Sequence, residues 1–353
     1  MKIKKAQSFY VILAIILTIL YIVFAIKPLQ KEFLFTPEWK INVSSPEIKE
    51  NPQNLPLQYF KLGQSAGYFT KDGKVTNFFT FPFKTSISNS YYTCYNSNNT
   101  KTDFFTPDAK KAGTISETGF PFISEDKIFV FLPGGSSFVM CNQNGSKKWE
   151  HDAIFPITSF SSTKNAIIAG YADGSVIHFD NDGQILQNFQ PGGSDYPVIL
   201  GASISNDGLY IACVSGLNKQ RFTLSKKENN QTKIIFHEYF SKDSNLQQIV
   251  KFSSDDKLCF FTSKEFAGIV DIQNKKSLHI PISGNAISLK EMDENFILLT
   301  KNQKKYSVYV IEKFSTLTGS FNFEAESAFI ETNGNNLYVG KNDTISKIKI
   351  SKE

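Results

Sequence analysis

The stretch from Ile154 to Gln190 constrains the fold most, because it holds four short segments of β-strand character separated by turn signals. Asp173-Gly174 and Asp182-Gly183 are strong hairpin signals, since a tight turn needs a positive φ that glycine adopts freely. The four segments are Ile157–Ser161, Ala166–Tyr171, Ser175–Asp180 and Gln184–Phe189. Four antiparallel strands in so short a stretch predict one blade of a β-propeller.

The same pattern recurs along the chain, as an apolar residue, a small residue, a polar turn and an apolar strand. The first strands of the repeats are predicted to start near residues 84, 120, 157, 199, 249, 286 and 326. We therefore expect an all-β fold, a seven-bladed β-propeller of four-stranded antiparallel blades, over residues 58–353. The seventh repeat has only three strands, and Gly67–Phe79 is predicted to supply the fourth. The ring would then close by pairing a strand from 66–82 with 325–350.

Two kinds of repeat motif resemble known propeller families. ISNDGLYIACV from Ile204 and FSSDDKLCFFT from Phe252 resemble the WD40 and WD40-like repeat, and GGSSFVMCNQNGSKKWEHD from Gly134 is similar to repeats of pyrroloquinoline-quinone-type propellers. The resemblance covers about residues 66–350. The sequence lacks the Gly-His and Trp-Asp dipeptides of WD40 repeats. Only Trp149 lies at the position where repeats of the quinone type have a docking tryptophan. The resemblance implies scaffolding and protein binding by analogy of fold.

The N-terminal segment predicts a membrane anchor ahead of the propeller. Residues 1–8 form a short basic tail that we expect in the cytoplasm, and Phe9–Ile26 is an uncharged run of apolar character. As a helix this run would span roughly 27 Å, enough for one transmembrane helix retained as a signal anchor. A cleaved signal peptide is the alternative. Residues 27–57 contain five prolines and read as an extended tether.

Charge around this segment predicts the location of the protein. The short tail carries three lysines and is expected to stay in the cytoplasm, which places the propeller on the periplasmic or extracellular side of the cytoplasmic membrane. An inverted anchor with a cytoplasmic propeller is a further alternative. Arg221 is the one arginine among 38 basic residues, which disfavours a nucleic-acid partner, because readers of nucleic acid rely on arginine.

No motif of catalytic or metal-binding chemistry stands out, so we expect neither an enzyme nor a cofactor or metal site. The four cysteines lie far apart and are predicted to be free thiols, and the four histidines fall in different repeats. The predicted first strands are Ser, Thr and apolar residues, with Lys251, Lys290 and Glu331 as their charges. An enzyme acting on a sugar, lactone or quinone-linked substrate remains the alternative function.

A surface is the remaining candidate for function. The loops that join consecutive blades and the turns between second and third strands should share one face of the propeller. Aromatic and basic residues, which dominate protein-binding hot spots, are predicted there at Phe120, Phe155, Tyr196, Arg221, Phe266 and Lys304. The alternative is that the Phe-Pro pairs only pack blade junctions. The sequence thus predicts a non-enzymatic scaffold that binds protein partners in a cell-envelope complex for assembly, secretion or motility.

Overall fold

The computed structural model describes residues 10, 13–21, 32–50, 55–96, 100–228, 231–315 and 318–352. Within these ranges the chain from residue 32 onward forms eight antiparallel sheets. Each sheet is one blade of a β-propeller, and blades 1 to 8 follow one another in chain order. The innermost strand of each blade lies beside the innermost strand of the next, which gives the ring a central channel.

The strands are named in chain order. Blade 1 contains β2 (Leu57–Leu62), β3 (Ser65–Thr70) and β4 (Val75–Thr80). Blade 2 contains β5 (Lys84–Ile87), β6 (Tyr92–Tyr95), β7 (Thr102–Phe105) and β8 (Lys111–Ile115). Blade 3 contains β9 (Phe120–Ser124), β10 (Lys127–Phe131), β11 (Phe138–Cys141) and β12 (Lys147–His151). Blade 4 contains β13 (Ile157–Ser162), β14 (Ile167–Tyr171), β15 (Val176–Phe179) and β16 (Ile185–Phe189).

The remaining strands complete the ring. Blade 5 contains β17 (Ile199–Ile204), β18 (Tyr210–Ser215), β19 (Arg221–Glu228) and β20 (Gln231–Tyr239). Blade 6 contains β21 (Val250–Phe252), β22 (Leu258–Thr262), β23 (Phe266–Asp271) and β24 (Lys276–Pro281). Blade 7 contains β25 (Asn285–Met292), β26 (Asn295–Asn302), β27 (Lys305–Glu312) and β28 (Thr318–Glu324). Blade 8 contains β29 (Ala328–Asn333), β30 (Asn336–Lys341), β31 (Thr344–Lys352) and, as its outermost strand, β1 (Phe33–Asn42).

The prediction of seven blades is wrong, because the described chain forms eight. The seven predicted starts near 84, 120, 157, 199, 249, 286 and 326 match the innermost strands of blades 2 to 8, which begin at 84, 120, 157, 199, 250, 285 and 328. The additional blade is blade 1, built from residues 57–80. Its segment Gly67–Phe79 lies in β3 and β4, paired with each other and not with the C-terminal strand as predicted.

The ring is closed by β1, which lies in the segment predicted to be a tether. This strand pairs antiparallel with β31, from Phe33 opposite Lys352 to Asn42 opposite Thr344. Five prolines suggested an extended linker, but Pro37 lies at an irregularity of the ladder, and β1 is the outermost strand of its blade. An edge strand tolerates proline because the missing N–H faces away from the sheet.

Neighbouring innermost strands of blades 2 and 3 run parallel to each other. Ile123 N donates to Ser86 Oγ over 2.8 Å, and Ser88 Oγ donates to Glu125 O over 2.6 Å. We call the side of the ring at which the innermost strands of blades 2 to 8 begin the upper face, and the opposite side the lower face. The turns between second and third strands and the loops between blades lie on the upper face.

Blade 1 differs from the other seven in strand number and direction. Tyr59 N donates to Asn89 Oδ1 over 3.3 Å and Lys61 Nζ donates to Thr85 O over 3.2 Å, so β2 runs antiparallel to β5. The innermost strand of blade 1 therefore runs in the same direction as the second strands of the other blades. The segment after β1 reaches the outer edge of this blade, where Lys49 N donates to Val75 O over 2.8 Å.

Both tryptophans of the chain join neighbouring blades in the same way. Trp149, in the outermost strand of blade 3, donates from Nε1 to Asn181 O of blade 4 over 3.1 Å. Trp39, in the outermost strand of blade 8, donates from Nε1 to Lys71 O of blade 1 over 3.2 Å. Each ring packs against a glycine of that turn, Gly183 or Gly73, whose φ is positive. Each glycine also lacks a Cβ that would crowd the indole.

The hydrophobic core is divided among the blade junctions. Separate clusters of buried side chains lie between blades 2 and 3, 3 and 4, 4 and 5, 5 and 6, 6 and 7, 7 and 8, and 8 and 1. Aromatic rings join blades 1 and 2, with Phe79 stacked 4.2 Å from Tyr92. The four cysteines are free thiols, as predicted, and Cys141, Cys213 and Cys259 are buried. Radial stacking thus buries both faces of each blade.

The predicted transmembrane helix over Phe9–Ile26 is not supported. Only residue 10 and residues 13–21 of this stretch are described; 13–21 are helical, with Thr18 Oγ1 donating to Ala14 O over 2.8 Å. Among the residues that the structure describes, no helix is long and apolar enough to cross a membrane. The predicted tail over residues 1–8 lies outside the described residues.

Candidate protein-binding face

All six residues predicted to form a binding surface lie toward the upper face. Phe155 and Tyr196 lie in loops between blades, Lys304 lies in the turn between β26 and β27, and the others begin a strand there; these are Phe120, Arg221 and Phe266. Placement on one face follows from the alternating strand directions of each blade. Their exposure differs, however, and divides them into two groups.

Large apolar side chains are exposed at four consecutive blade junctions. Phe83 is 63% exposed between blades 1 and 2, Phe120 is 37% exposed between blades 2 and 3, and Tyr196 is 63% exposed between blades 4 and 5. Between blades 3 and 4, Ile154 is 91% exposed and Phe155 46%. We call these five residues the apolar arc. Exposed apolar side chains grouped on one side of a protein mark interaction sites more often than scattered ones do.

Three aromatic residues of the arc lie in Phe-Pro or Tyr-Pro pairs. Phe120, Phe155 and Tyr196 each precede a proline, which restricts the preceding residue to extended backbone conformations. Pro121 is buried and Pro197 half-buried, whereas Pro156 is exposed and its carbonyl accepts a hydrogen bond from Ala172 N over 3.0 Å. A Cβ on Gly174 would lie 2.3 Å from Pro197 O, so this junction is tightly packed. The backbone at these prolines therefore packs the junction, while the rings of Phe120, Phe155 and Tyr196 stay accessible.

Arg221 is a structural residue of this face. Its side chain is buried, donating from Nη2 to Pro191 O over 2.5 Å and from Nε to Gly192 O over 3.1 Å. Its guanidinium also lies 5.6 Å from the ring centre of Tyr239. These contacts fix the start of the loop that carries Tyr196, so Arg221 positions the loop and is not itself accessible to a partner.

Replacing Arg221 by lysine is expected to lower the free energy of unfolding by about 2 kcal/mol, because a lysine cannot satisfy both buried carbonyl groups. Urea denaturation of the full chain measures the change. Lys264→Met, which removes an exposed lysine of the same face, is the control and should leave stability within about 0.5 kcal/mol of the unmodified chain. An Arg221→Lys variant as stable as this control would contradict the structural role.

Phe266 and Lys304 differ from the arc in their surroundings. Phe266 is half-buried and stacks on His279 with ring centres 4.0 Å apart, so it packs its own blade. Lys304 is exposed and pairs with Glu326 through Nζ and Oε1 over 2.5 Å. Glu326 is itself exposed, and a pair of this kind contributes little to stability. Only Lys304 of these two presents its side chain to solvent.

Sequence reasoning missed two residues of the arc. Phe83 follows Phe81-Pro82, but the aromatic residue before the proline, Phe81, is buried here, so the aromatic-proline pattern of the other junctions does not identify Phe83. Ile154 precedes Phe155 and carries no pattern of its own. Leu217, in the turn between β18 and β19, is also exposed, and its N donates to Tyr196 O over 3.0 Å.

Comparison with known proteins identifies the family. A family model described as beta-propeller protein matches residues 1–353. The chain belongs to this β-propeller family. A protein of Treponema pallidum (strain Nichols), described as an uncharacterized protein, is 26% identical to this propeller over 362 residues, covering 99% of this chain and 96% of the relative.

Solved structures share the propeller fold at low sequence identity. BamB from Moraxella catarrhalis superposes with a TM-score of 0.62 at 10% identity, covering 90% of this propeller and 100% of that chain. A chain of the mitotic checkpoint complex superposes with a TM-score of 0.55 at 10% identity, covering 90% of this propeller and 96% of that chain. At this identity the similarity concerns the fold alone.

Proposed function

We propose that this β-propeller is a non-enzymatic scaffold that binds a protein partner through the apolar arc of its upper face. The observation that carries the proposal is the exposure of Phe83, Phe120, Ile154, Phe155 and Tyr196 at four consecutive junctions. Aromatic side chains bury a large area at a small loss of conformational entropy, which makes them effective anchors in protein interfaces. One of the similar chains belongs to a multiprotein complex, the mitotic checkpoint complex, which agrees with this class of function.

Charged residues lie in two loops of the opposite half of the upper face, although Leu246 is also exposed between blades 5 and 6. Between blades 7 and 8 the loop is Ala325-Glu326-Ser327, with Ala325 buried and Glu326 exposed. Between blades 5 and 6 the loop carries Lys242, which pairs with Glu265 through atoms 2.5 Å apart. A partner that covers the arc would have a charged rim on that side, as protein interfaces usually do.

The partner is proposed to belong to a cell-envelope complex, with the propeller on the outer side of the cytoplasmic membrane. The uncharged segment Phe9–Ile26 after a lysine-rich start supports export of the chain. Protease protection on intact cells and spheroplasts, with the mass of the mature N-terminus, tests this location. A propeller that is digested only after lysis of the cytoplasmic membrane would refute it.

The binding proposal predicts that charge introduced into the arc weakens partner capture. In intact cells, a photo-reactive amino acid at position 196 should form a cross-link to one protein, and the additional change Ile154→Asp should reduce its yield at least about tenfold, because an aspartate at the centre of an apolar contact must lose its water. Leu209→Asp is the matched control, since Leu209 is exposed on the lower face at the turn between β17 and β18. An equal loss with Leu209→Asp, or no cross-link at all, would refute the proposal.

A further inference from the structure

The central channel of the propeller is a polar space lined by every blade. Two cavities of about 660 and 640 Å³ lie within it, and Glu125, Lys251 and Glu291 line both of them. The innermost strands supply the walls, through residues that include Tyr59, Ile87, Phe122, Ser161, Ser203, Lys251, Lys290 and Glu331. The cavities therefore adjoin and offer one site of sufficient size for a small molecule.

Two carboxylates of the channel are already matched by cations. Glu331 is buried and pairs with Lys290, whose Nζ lies 2.7 Å from Oε2 and 3.5 Å from the hydroxyl of Tyr59. Burial lowers the pKa of Lys290, but the charge interactions and hydrogen bonds with Glu331 and Tyr59 together outweigh it and raise the pKa overall. Glu291 pairs with Lys313 over 2.6 Å. These charges hold the innermost strands of blades 1, 7 and 8 together.

Ser254 adds to the neutralisation of Glu291. Its N and Oγ donate to the two carboxylate oxygens over 2.8 and 3.0 Å. With Lys313 on the same carboxylate, Glu291 has three donors. It therefore has little capacity left for Lys251, which lines the same cavities.

Lys251 has no such partner among the residues that the structure describes, where it makes neither a hydrogen bond nor an ion pair. Burial, and then repulsion by Lys290, lower the pKa of its ammonium group, while Glu291, Glu331 and Glu125 act in the opposite direction and do not compensate. Glu125 is exposed at the channel wall of blade 3. A half-buried cation without a counter-ion is costly and is stabilised by any anion that enters the channel.

Hydroxyl groups beside Lys251 are also available. Ser161, Ser203 and Ser288 line the same cavity, and within the described ranges none of these three side chains makes a hydrogen bond. They come from the innermost strands of blades 4, 5 and 7, next to or near the blade of Lys251. A cation that shares a cavity with hydroxyl donors matches the oxygen atoms of a phosphate or carboxylate group, which accept several hydrogen bonds at once.

We propose that the central channel binds a small molecule bearing an oxyanion, a phosphate or carboxylate group, with the Lys251 ammonium as its charged contact and the serines of neighbouring blades as further donors. This site is separate from the apolar arc, since Lys251 lies within the ring and the arc on its upper rim. The channel would thus carry a second binding activity beside that of the face.

Binding of inorganic sulfate, inorganic phosphate and citrate to the full chain, measured by calorimetry at constant ionic strength in chloride, tests the proposal. Lys251→Met should weaken binding at least about tenfold, the loss expected for one charged contact in a partly desolvated site. Glu125→Gln should strengthen it, because a competing negative charge is removed. Comparing the affinities for sulfate and phosphate with the affinity for citrate distinguishes a phosphate group from a carboxylate group as the preferred ligand. A preference for either supports the site.

A control variant and a pH series keep the binding measurement interpretable even where a variant changes stability. Lys264→Met removes an exposed lysine outside the channel and should leave sulfate binding unchanged. Sulfate does not titrate near neutral pH. Its affinity should therefore fall as pH rises through the pKa of Lys251, because the lysine loses its positive charge. The other charged groups that face Lys251 are Lys290, Glu291, Glu331 and Glu125. Absence of binding to the unmodified chain, or equal affinity in folded Lys251→Met, would overturn the proposal.

Discussion

A chain that begins at Val43 is expected to be less stable than one that begins at Glu32 by about 5 kcal/mol or more, because it lacks the closing strand β1. The loss includes the ladder from Phe33 to Asn42 and the apolar contacts of Phe33 and Phe35 with the core between blades 7 and 8. It also includes Trp39, which joins blade 8 to blade 1. A decrease of this size is comparable with the whole stability of many domains.

The comparison is made by urea denaturation of the two purified chains, with hydrogen exchange along β31 as a local measurement. In the chain from Val43, amides of β31 that donate to β1 lose their acceptors and should exchange fastest, while blade 4 keeps its protection longer. The chain from Glu32 is the control, because it removes the whole N-terminal segment but keeps β1. Equal midpoints for the two chains would show that β1 does not close the ring in solution.

The substitution Gly67→Ala is expected to destabilise blade 1 by about 3 kcal/mol. A Cβ at position 67 would lie 2.1 Å from Asn77 O and 2.9 Å from Cε1 of Phe60. Asn77 O belongs to the backbone of the paired strand, so relief requires β3 and β4 to move apart, and overpacking of this kind costs several kcal/mol. The midpoint of thermal or urea unfolding measures the effect.

Gly334→Asn is the matched control for this substitution. Gly334 lies in the turn between β29 and β30, has a φ of +55° and would have nothing within 4 Å of an added Cβ. Asparagine tolerates this left-handed conformation, so we expect a cost below about 1 kcal/mol. If Gly67→Ala were as mild as this control, the close approach of β3 and β4 would not constrain the fold.

Most of the architecture could be predicted from the sequence because blades 2 to 8 repeat one local pattern. Turn glycines, such as Gly174 with a φ of +85°, and alternating apolar strands fix each hairpin locally. Blade 1 escaped prediction because it has only three strands and its innermost strand runs in the opposite direction to those of the other blades. Its strand β2 was included in the propeller domain but in no repeat.

The closing strand was missed because its proline content suggested a linker. The signal that could have found it is the spacing between tryptophan and glycine: Trp39 precedes Gly73 by 34 residues (73 − 39), and Trp149 precedes Gly183 by 34 (183 − 149). Both pairs prove to be contacts between an outermost strand and the next blade. Such equal spacing is a long-range property that no local propensity reveals.

The candidate site could be predicted in position but not in exposure. Alternating strand directions place Phe120, Phe155 and Tyr196 on one face, but the proline that follows does not determine exposure, since Phe81 also precedes a proline and is buried. Burial of Arg221 depends on the path of the loop through Pro191 and Gly192, which the sequence does not specify. The unpaired state of Lys251 depends on which carboxylates neighbouring blades supply, and that is a tertiary property as well.

The pairing of β1 with β31 also determines when the protein can complete its folding. During synthesis β1 leaves the ribosome about 300 residues before its partner does, because Asn42 pairs with Thr344. Contacts between such distant segments form slowly, and an unpaired apolar strand is exposed to aggregation in the meantime. Blades 2 to 7 can form as they emerge, while the phenylalanines of β1 lack their partner strand until β31 has emerged. The ring therefore closes late, when a strand synthesised early pairs with one synthesised after all the intervening blades.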